Sequence, residues 1–140
     1  MTRKTAQAGF TLIELLVVMV IIGLLAALVA PRFIGTEEKA RVRAARAQIE
    51  LLATALDTFR LDVGRYPTSE EGLQALRQRP SGIDRWDGPY LRKDVPPDPW
   101  GKPYSYRSPG EGEPYEIESF GADGIAGGNG NGADIKSWEG

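Results

Sequence analysis

The feature that most constrains this chain is the run from Phe10 to Ala30, FTLIELLVVMVIIGLLAALVA, 21 residues with a single charge at Glu14. A helix rises about 1.5 Å per residue, so a run of this length matches the roughly 30 Å hydrocarbon layer of a bilayer. A buried helix of a soluble domain is the bland alternative, and this run is too long and too uniformly apolar for it. Arg3 and Lys4 precede the run, and positive charge before a span favours a cytoplasmic N-terminus with the remainder outside. A secretory signal has an apolar stretch of only about 7–15 residues, followed by a small-residue cleavage site. Here the small-residue junction, Gly9-Phe10, comes before the apolar run. Cutting there removes the basic leader, residues 1–9, and keeps the membrane helix, residues 10–30.

Glu14 needs a partner in such a setting. A charge at the centre of a membrane helix costs about 2.5–3.5 kcal/mol on insertion scales, less near an end. The nearest cation that cleavage creates is the new ammonium on Phe10, four residues away along one helix.

Composition narrows the chemistry. With 140 residues there is room for one modest domain beyond the helix. Basic and acidic residues number 17 and 19, so a sequence-independent grip on nucleic acid is not expected. Loss of Arg3 and Lys4 gives 15 − 19 = −4, a mildly acidic mature chain. There is no cysteine and no histidine. Disulfides, Ser-His-Asp and Cys-His catalysis are therefore excluded, and a zinc site is not expected. A membrane-anchored enzyme would have only scattered carboxylates to work with, Glu70, Glu71, Glu116 and Glu118.

Pro31 removes a helix hydrogen bond and crowds the preceding turn, which predicts a kink or unwinding over 31–36, softened further by Gly35. Helix resumes at Glu37 with Thr36 as a possible N-cap. Apolar residues then recur at Val42, Ala45, Ile49, Leu52, Leu56 and Phe59. Spacings of 3 and 4 make one stripe. Its second half is expected to lie against the chain's own domain. Val42 and Ala45, close to the membrane, are equally suited to contact between subunits.

Gly64 to Pro67 ends the long helix. Thr68 and Glu71 form a capping-box pattern opening a short helix through about Gln78. Residues 80–103, rich in proline, glycine and tryptophan, read as an ordered loop pinned by aromatics. Tyr104–Arg107 and Tyr115–Phe120 are candidate strands around a Pro109–Gly112 turn, with Glu116 and Glu118 on the face opposite Ile117. The result is an α+β fold: a long N-terminal helix whose second half is covered by a small antiparallel sheet, within a globular domain at 37–140.

Phe120 to Asp134 reads FGADGIAGGNGNGAD. So many glycines are costly to order without compensation. Asp123, Asn129, Asn131, Asp134 and backbone carbonyls supply hard oxygen donors, which suit calcium. Composition leaves this and a simple glycine-rich turn equally open.

The string Gly9-Phe10-Thr11-Leu12-Ile13-Glu14, an apolar run and then Pro31 resembles the N-terminus of type IV pilins and type II secretion pseudopilins. Tyr66-Pro67-Thr68, Gly72-Leu73, Pro97-Asp98-Pro99-Trp100-Gly101-Lys102-Pro103-Tyr104 and Gly121-Ala122-Asp123-Gly124 narrow the resemblance to the major pseudopilins of type II secretion. That resemblance implies cleavage between Gly9 and Phe10 by a prepilin peptidase and N-methylation of Phe10. It also implies pairing of Glu14 with a neighbouring subunit's N-terminal amine, in a homo-oligomeric periplasmic filament. The filament would rise from the inner membrane, work with other pseudopilins and inner-membrane assembly proteins, and support export of folded proteins across the outer membrane. An ordinary type IV or DNA-uptake pilin shares the N-terminal half and is the alternative. The resemblance further implies a calcium ion held by the Asp123 side chain and the Phe120 carbonyl. The resemblance implies a second aspartate, usual in the family shortly after the paired glycines, where Gly130 stands here; Asn129, Asn131 or Asp134 would have to substitute, or the site is weaker.

Overall fold

The structure, a computed structural model, describes residues 8–139. Arg3 and Lys4, the expected charges of the leader, lie outside the described residues. The chain divides into two compact units, residues 1–37 and 38–140.

Helix α1 runs from Leu12 to Val63. Its first unit contains the apolar span Leu12–Val29, with mean hydropathy 3.0 and none of it buried within the chain. The unwinding expected over 31–36 is absent, because helical backbone continues through Pro31 and Thr36. A proline costs its helix one hydrogen bond, and the turns on either side here hold the conformation. Thr36 is accordingly an interior residue and not an N-cap. The helix stops at Gly64, which takes φ +90° and donates its N–H to the Arg60 carbonyl at 2.8 Å. A left-handed glycine in that position satisfies an end carbonyl and turns the chain away.

In the second unit, the stripe of α1 is covered. Ile49, Leu52, Leu56 and Phe59 are buried, joined by Leu76, Ile117 and Ile135. Burial of each large side chain contributes about 1.5–3 kcal/mol. Ala45 is 0% exposed, so the chain's own domain takes the contact that was equally open to a neighbour. The Thr68–Glu71 pattern forms as read: Thr68 N–H donates to Glu71 Oε2 at 2.8 Å, and Glu71 N–H to Thr68 Oγ1 at 3.2 Å. The helix expected after it is only a 3-10 turn, Leu73–Leu76. That turn ends on an aromatic anchor, because Trp86 donates Nε1–H to the Ala75 carbonyl and Tyr90 N–H donates to Leu76. Tyr90 meets Phe59 and Trp86 edge-on, each at 5.6 Å between ring centroids, and donates its hydroxyl to Asp62. These contacts order the proline-rich loop.

Three strands complete the sheet, β1 Ser105–Arg107, β2 Glu116–Ser119 and β3 Ile135–Lys136, antiparallel in that order. Tyr106 pairs with Ile117, and Ser119 with Ile135. Glu116, on the face opposite Ile117, is not left to solvent. It is buried, ion-paired with Arg107, and accepts the Glu111 N–H at 2.7 Å. Asp98, only 3% exposed, ties the loop to the sheet. It accepts N–H bonds from Trp100 at 3.1 Å and Lys102 at 2.8 Å, and the Ser119 hydroxyl at 2.7 Å.

Candidate functional site

Two regions hold the residues singled out above. In the first unit, Gly9 and Phe10 precede α1 in irregular backbone, and Phe10 is 94% exposed. Glu14 is exposed and already has a task inside its own chain. Thr11 N–H donates to Glu14 Oε2 at 3.0 Å, and Glu14 N–H donates to Thr11 Oγ1 at 3.3 Å. This is a reciprocal cap that satisfies two of the amides a helix start leaves without partners. The signal, threonine followed three residues later by glutamate, is local and present in the sequence. A carboxylate offers about four lone-pair positions. The cap therefore leaves Glu14 with acceptor capacity for an incoming cation beside Phe10.

The second region is the glycine-rich loop between β2 and β3. Asp123 Oδ1 accepts the Ile125 N–H at 3.0 Å, and Asp134 Oδ2 accepts the Gly127 N–H at 2.7 Å. The two aspartates thus brace the same loop from its two ends. Asp134 Oδ1 is buried with no hydrogen-bond partner. A buried acceptor in that state costs about 1–3 kcal/mol unless something engages it. Asn129 and Asn131 are exposed, and Phe120 is half-buried. Asn129 does not cap the 3-10 turn Gly130–Gly132 with its side chain, but accepts the Gly132 N–H on its carbonyl at 3.1 Å.

The pairing of Glu118 with this loop is not legible in the sequence. Glu118 stands on β2 opposite Lys136, and its carboxyl reaches that of Asp134. Burial first, and Asp134 second, raise its pKa above the ordinary 4.5. Only strand pairing brings the two together, so no local pattern could have announced it. A cation there would relieve the repulsion. Among the described residues, however, no three carboxylates converge into a metal cage. Any ion would have to take backbone or amide oxygens as well. The Lys102 ammonium also lies against Gly124, a resident positive charge at the loop.

Gly130 has φ +61° and open space beyond it, so an aspartate there would be strained and unguided. A Cβ on Gly132 would fall 2.5 Å from Asp123 Oδ2. A Cβ on Gly128 would fall equally close, so both glycines leave room for the Asp123 carboxylate.

Comparison with known proteins adds three findings. Residues 32–138 match the family model for the type II secretion system protein G, and residues 4–30 match the prokaryotic N-terminal methylation motif. The type II secretion system core protein G of Pseudomonas aeruginosa is 44% identical, with 98% of this chain and 99% of that protein covered. Its counterpart in Vibrio cholerae is 43% identical over 99% of this chain and 96% of its own length. The crystal structure of the major pseudopilin from the type 2 secretion system of enterohaemorrhagic Escherichia coli superimposes with a TM-score of 0.63. That match has 36% identity and covers 75% of this chain and 92% of the other.

Proposed function

The chain belongs to the type II secretion system protein G family, and we infer from this that it is a structural subunit of a type II secretion pseudopilus and not an enzyme. The carrying observation is joint coverage. A protein G match over 32–138 follows directly on a methylation motif over 4–30 and a span of membrane length. The type IV pilin alternative shares only the N-terminal half of that evidence. Deleting the gene should stop export of folded proteins at the periplasm, and the intact chain should restore it. Normal export without the chain would overturn the function.

A prepilin peptidase cuts between Gly9 and Phe10 and methylates Phe10. Leu12–Val29 then anchors the subunit in the inner membrane with its second unit in the periplasm. During assembly with other pseudopilins, the Phe10 ammonium of one subunit meets Glu14 of the next. Support comes from the exposed Phe10, the apolar span and the acceptor capacity left on Glu14. Glu14→Leu should abolish filaments while leaving the processed protein in the membrane. Undiminished filaments from that variant would remove Glu14 from the mechanism.

Calcium in the 120–134 loop is part of the same proposal. Its supports are the unengaged Asp134 Oδ1, the neighbouring Glu118 carboxyl, and the oxygen donors Asp123, Phe120, Asn129 and Asn131. The ion would fasten β3 to β2 and help order the glycines. An ion present at a hundred times its dissociation constant stabilises by about 2.7 kcal/mol. A chelator should therefore lower the melting midpoint of the full-length protein in detergent by several degrees. Asp134→Asn should melt low and be indifferent to chelator. Identical midpoints with and without chelator in the unsubstituted protein would dismiss the ion.

A further inference from the structure

The chain has two asparagines, Asn129 and Asn131, and each is followed by glycine. Asparagine is thermolabile, because the backbone nitrogen of the next residue can attack its side-chain amide carbon and close a five-membered imide. Glycine is the least hindered residue to supply that nitrogen, since it has no Cβ. Both pairs lie in the loop between β2 and β3, and the fold treats them differently. Asn129 precedes the 3-10 turn Gly130–Gly132 in extended backbone, φ −123° and ψ 155°. It is exposed, and its side chain caps nothing. The Gly130 N–H, which faces Asn129 as its nucleophile, donates to no backbone acceptor among the described residues. Space beyond Gly130 is open, for a Cβ there would meet nothing within 4 Å. Asn131 is also exposed but sits inside the turn. Its own nucleophile, the Gly132 N–H, donates to the Asn129 carbonyl at 3.1 Å. The Asp123 carboxylate also packs directly against Gly132. The attacking nitrogen must first lose its proton. A hydrogen bond already made by that N–H opposes the loss, and so does a carboxylate alongside the developing negative charge.

We propose that Asn129 is a site of spontaneous deamidation, and that the turn and Asp123 hold Asn131 back. Hydroxide takes the proton of the Gly130 amide, and the freed nitrogen bonds to the side-chain carbonyl carbon of Asn129. The bond from that carbon to the side-chain nitrogen breaks. The nitrogen leaves as ammonia after taking a proton from water, which restores the hydroxide. A second water then opens the imide at one of its two carbonyls, giving aspartate or isoaspartate. The sum is one water consumed and one ammonia released, with nothing oxidised or reduced. Either product places a new carboxylate in a loop that already carries Asp123 and Asp134. Isoaspartate also moves one carbon from the side chain into the backbone, directly ahead of the turn that leads to β3.

Ageing the purified full-length protein in detergent at mildly alkaline pH tests this. Samples taken over days are digested with trypsin. Arg107 and Lys136 flank one peptide that contains both asparagines, and fragment masses place each amide-to-acid change. Conversion should accumulate at Asn129, with Asn131 about fivefold slower, the factor that one amide hydrogen bond accounts for. In denaturant the two rates should converge, because the turn and the Asp123 contact are gone. Asn129→Gln, whose longer side chain would have to close a six-membered ring, should gain acidic species on isoelectric focusing far more slowly than the unsubstituted protein. A native protein in which Asn129 stays intact throughout, or in which Asn131 converts as fast, would overturn the assignment. Acidic species that appear equally fast in Asn129→Gln would overturn it as well.

Discussion

Two stretches of α1, Leu12–Val29 and Ile49–Phe59, are both rich in leucine and valine-like side chains, yet they meet opposite fates. The first is apolar all round apart from Glu14 near its start, and buries nothing. The second is apolar on one stripe, and that stripe forms the centre of the domain. Total hydrophobicity does not separate a helix that needs lipid from one that needs its own chain. Periodicity does, because a stripe implies a one-sided partner and an unbroken surface implies a solvent that is itself apolar.

Substitutions should respect that division. Phe59→Ala is expected to destabilise the full-length protein in detergent by about 3–5 kcal/mol, whereas Val17→Ala should change its melting midpoint by an amount near the measurement error. Equal losses from the two would mean that the first stretch has an intramolecular partner after all. Asp98→Ala removes the acceptor of two amides and the Ser119 hydroxyl. A loss of about 1–3 kcal/mol in chemical denaturation should follow. Asp98→Asn, which retains one acceptor oxygen, should lose less.

The smallest effect concerns the hinge after α1. Arg65 grips Glu71 through both carboxylate oxygens at 2.8 Å. The Arg65 hydrogen bonds, aided by the Thr68 amide, hold the Glu71 pKa below the ordinary 4.5. A depressed carboxylate contributes stability above its unfolded value and loses it as pH falls through the folded one. Glu71→Gln should therefore cost on the order of 0.5–1 kcal/mol at pH 7, since the pair is partly solvated. The difference from the unsubstituted protein should vanish well below pH 4.5. A difference that persists in acid would assign the loss to the cap geometry alone.

Much of this was legible in the residues themselves. The span, the buried stripe, the Thr68–Glu71 cap and the aromatic pinning of residues 80–103 are local or periodic signals. What escaped notice was mostly non-local. Strand β3 is two residues long, too short to show a period, and exists only because β2 lies beside it. The closeness of Glu118 and Asp134 depends on that same pairing. Pro31 shows the converse for one of the two outcomes read from it, the unwinding. A strong local breaker was overruled by helix on both sides.

A filament subunit of this kind keeps its apolar segment in the mature protein as its anchor. The intact mass of the subunit purified from inner membranes tests this directly. It should equal the chain from Phe10 to Gly140 plus one methyl group. A mass beginning at Met1, or at any residue beyond Pro31, would contradict it.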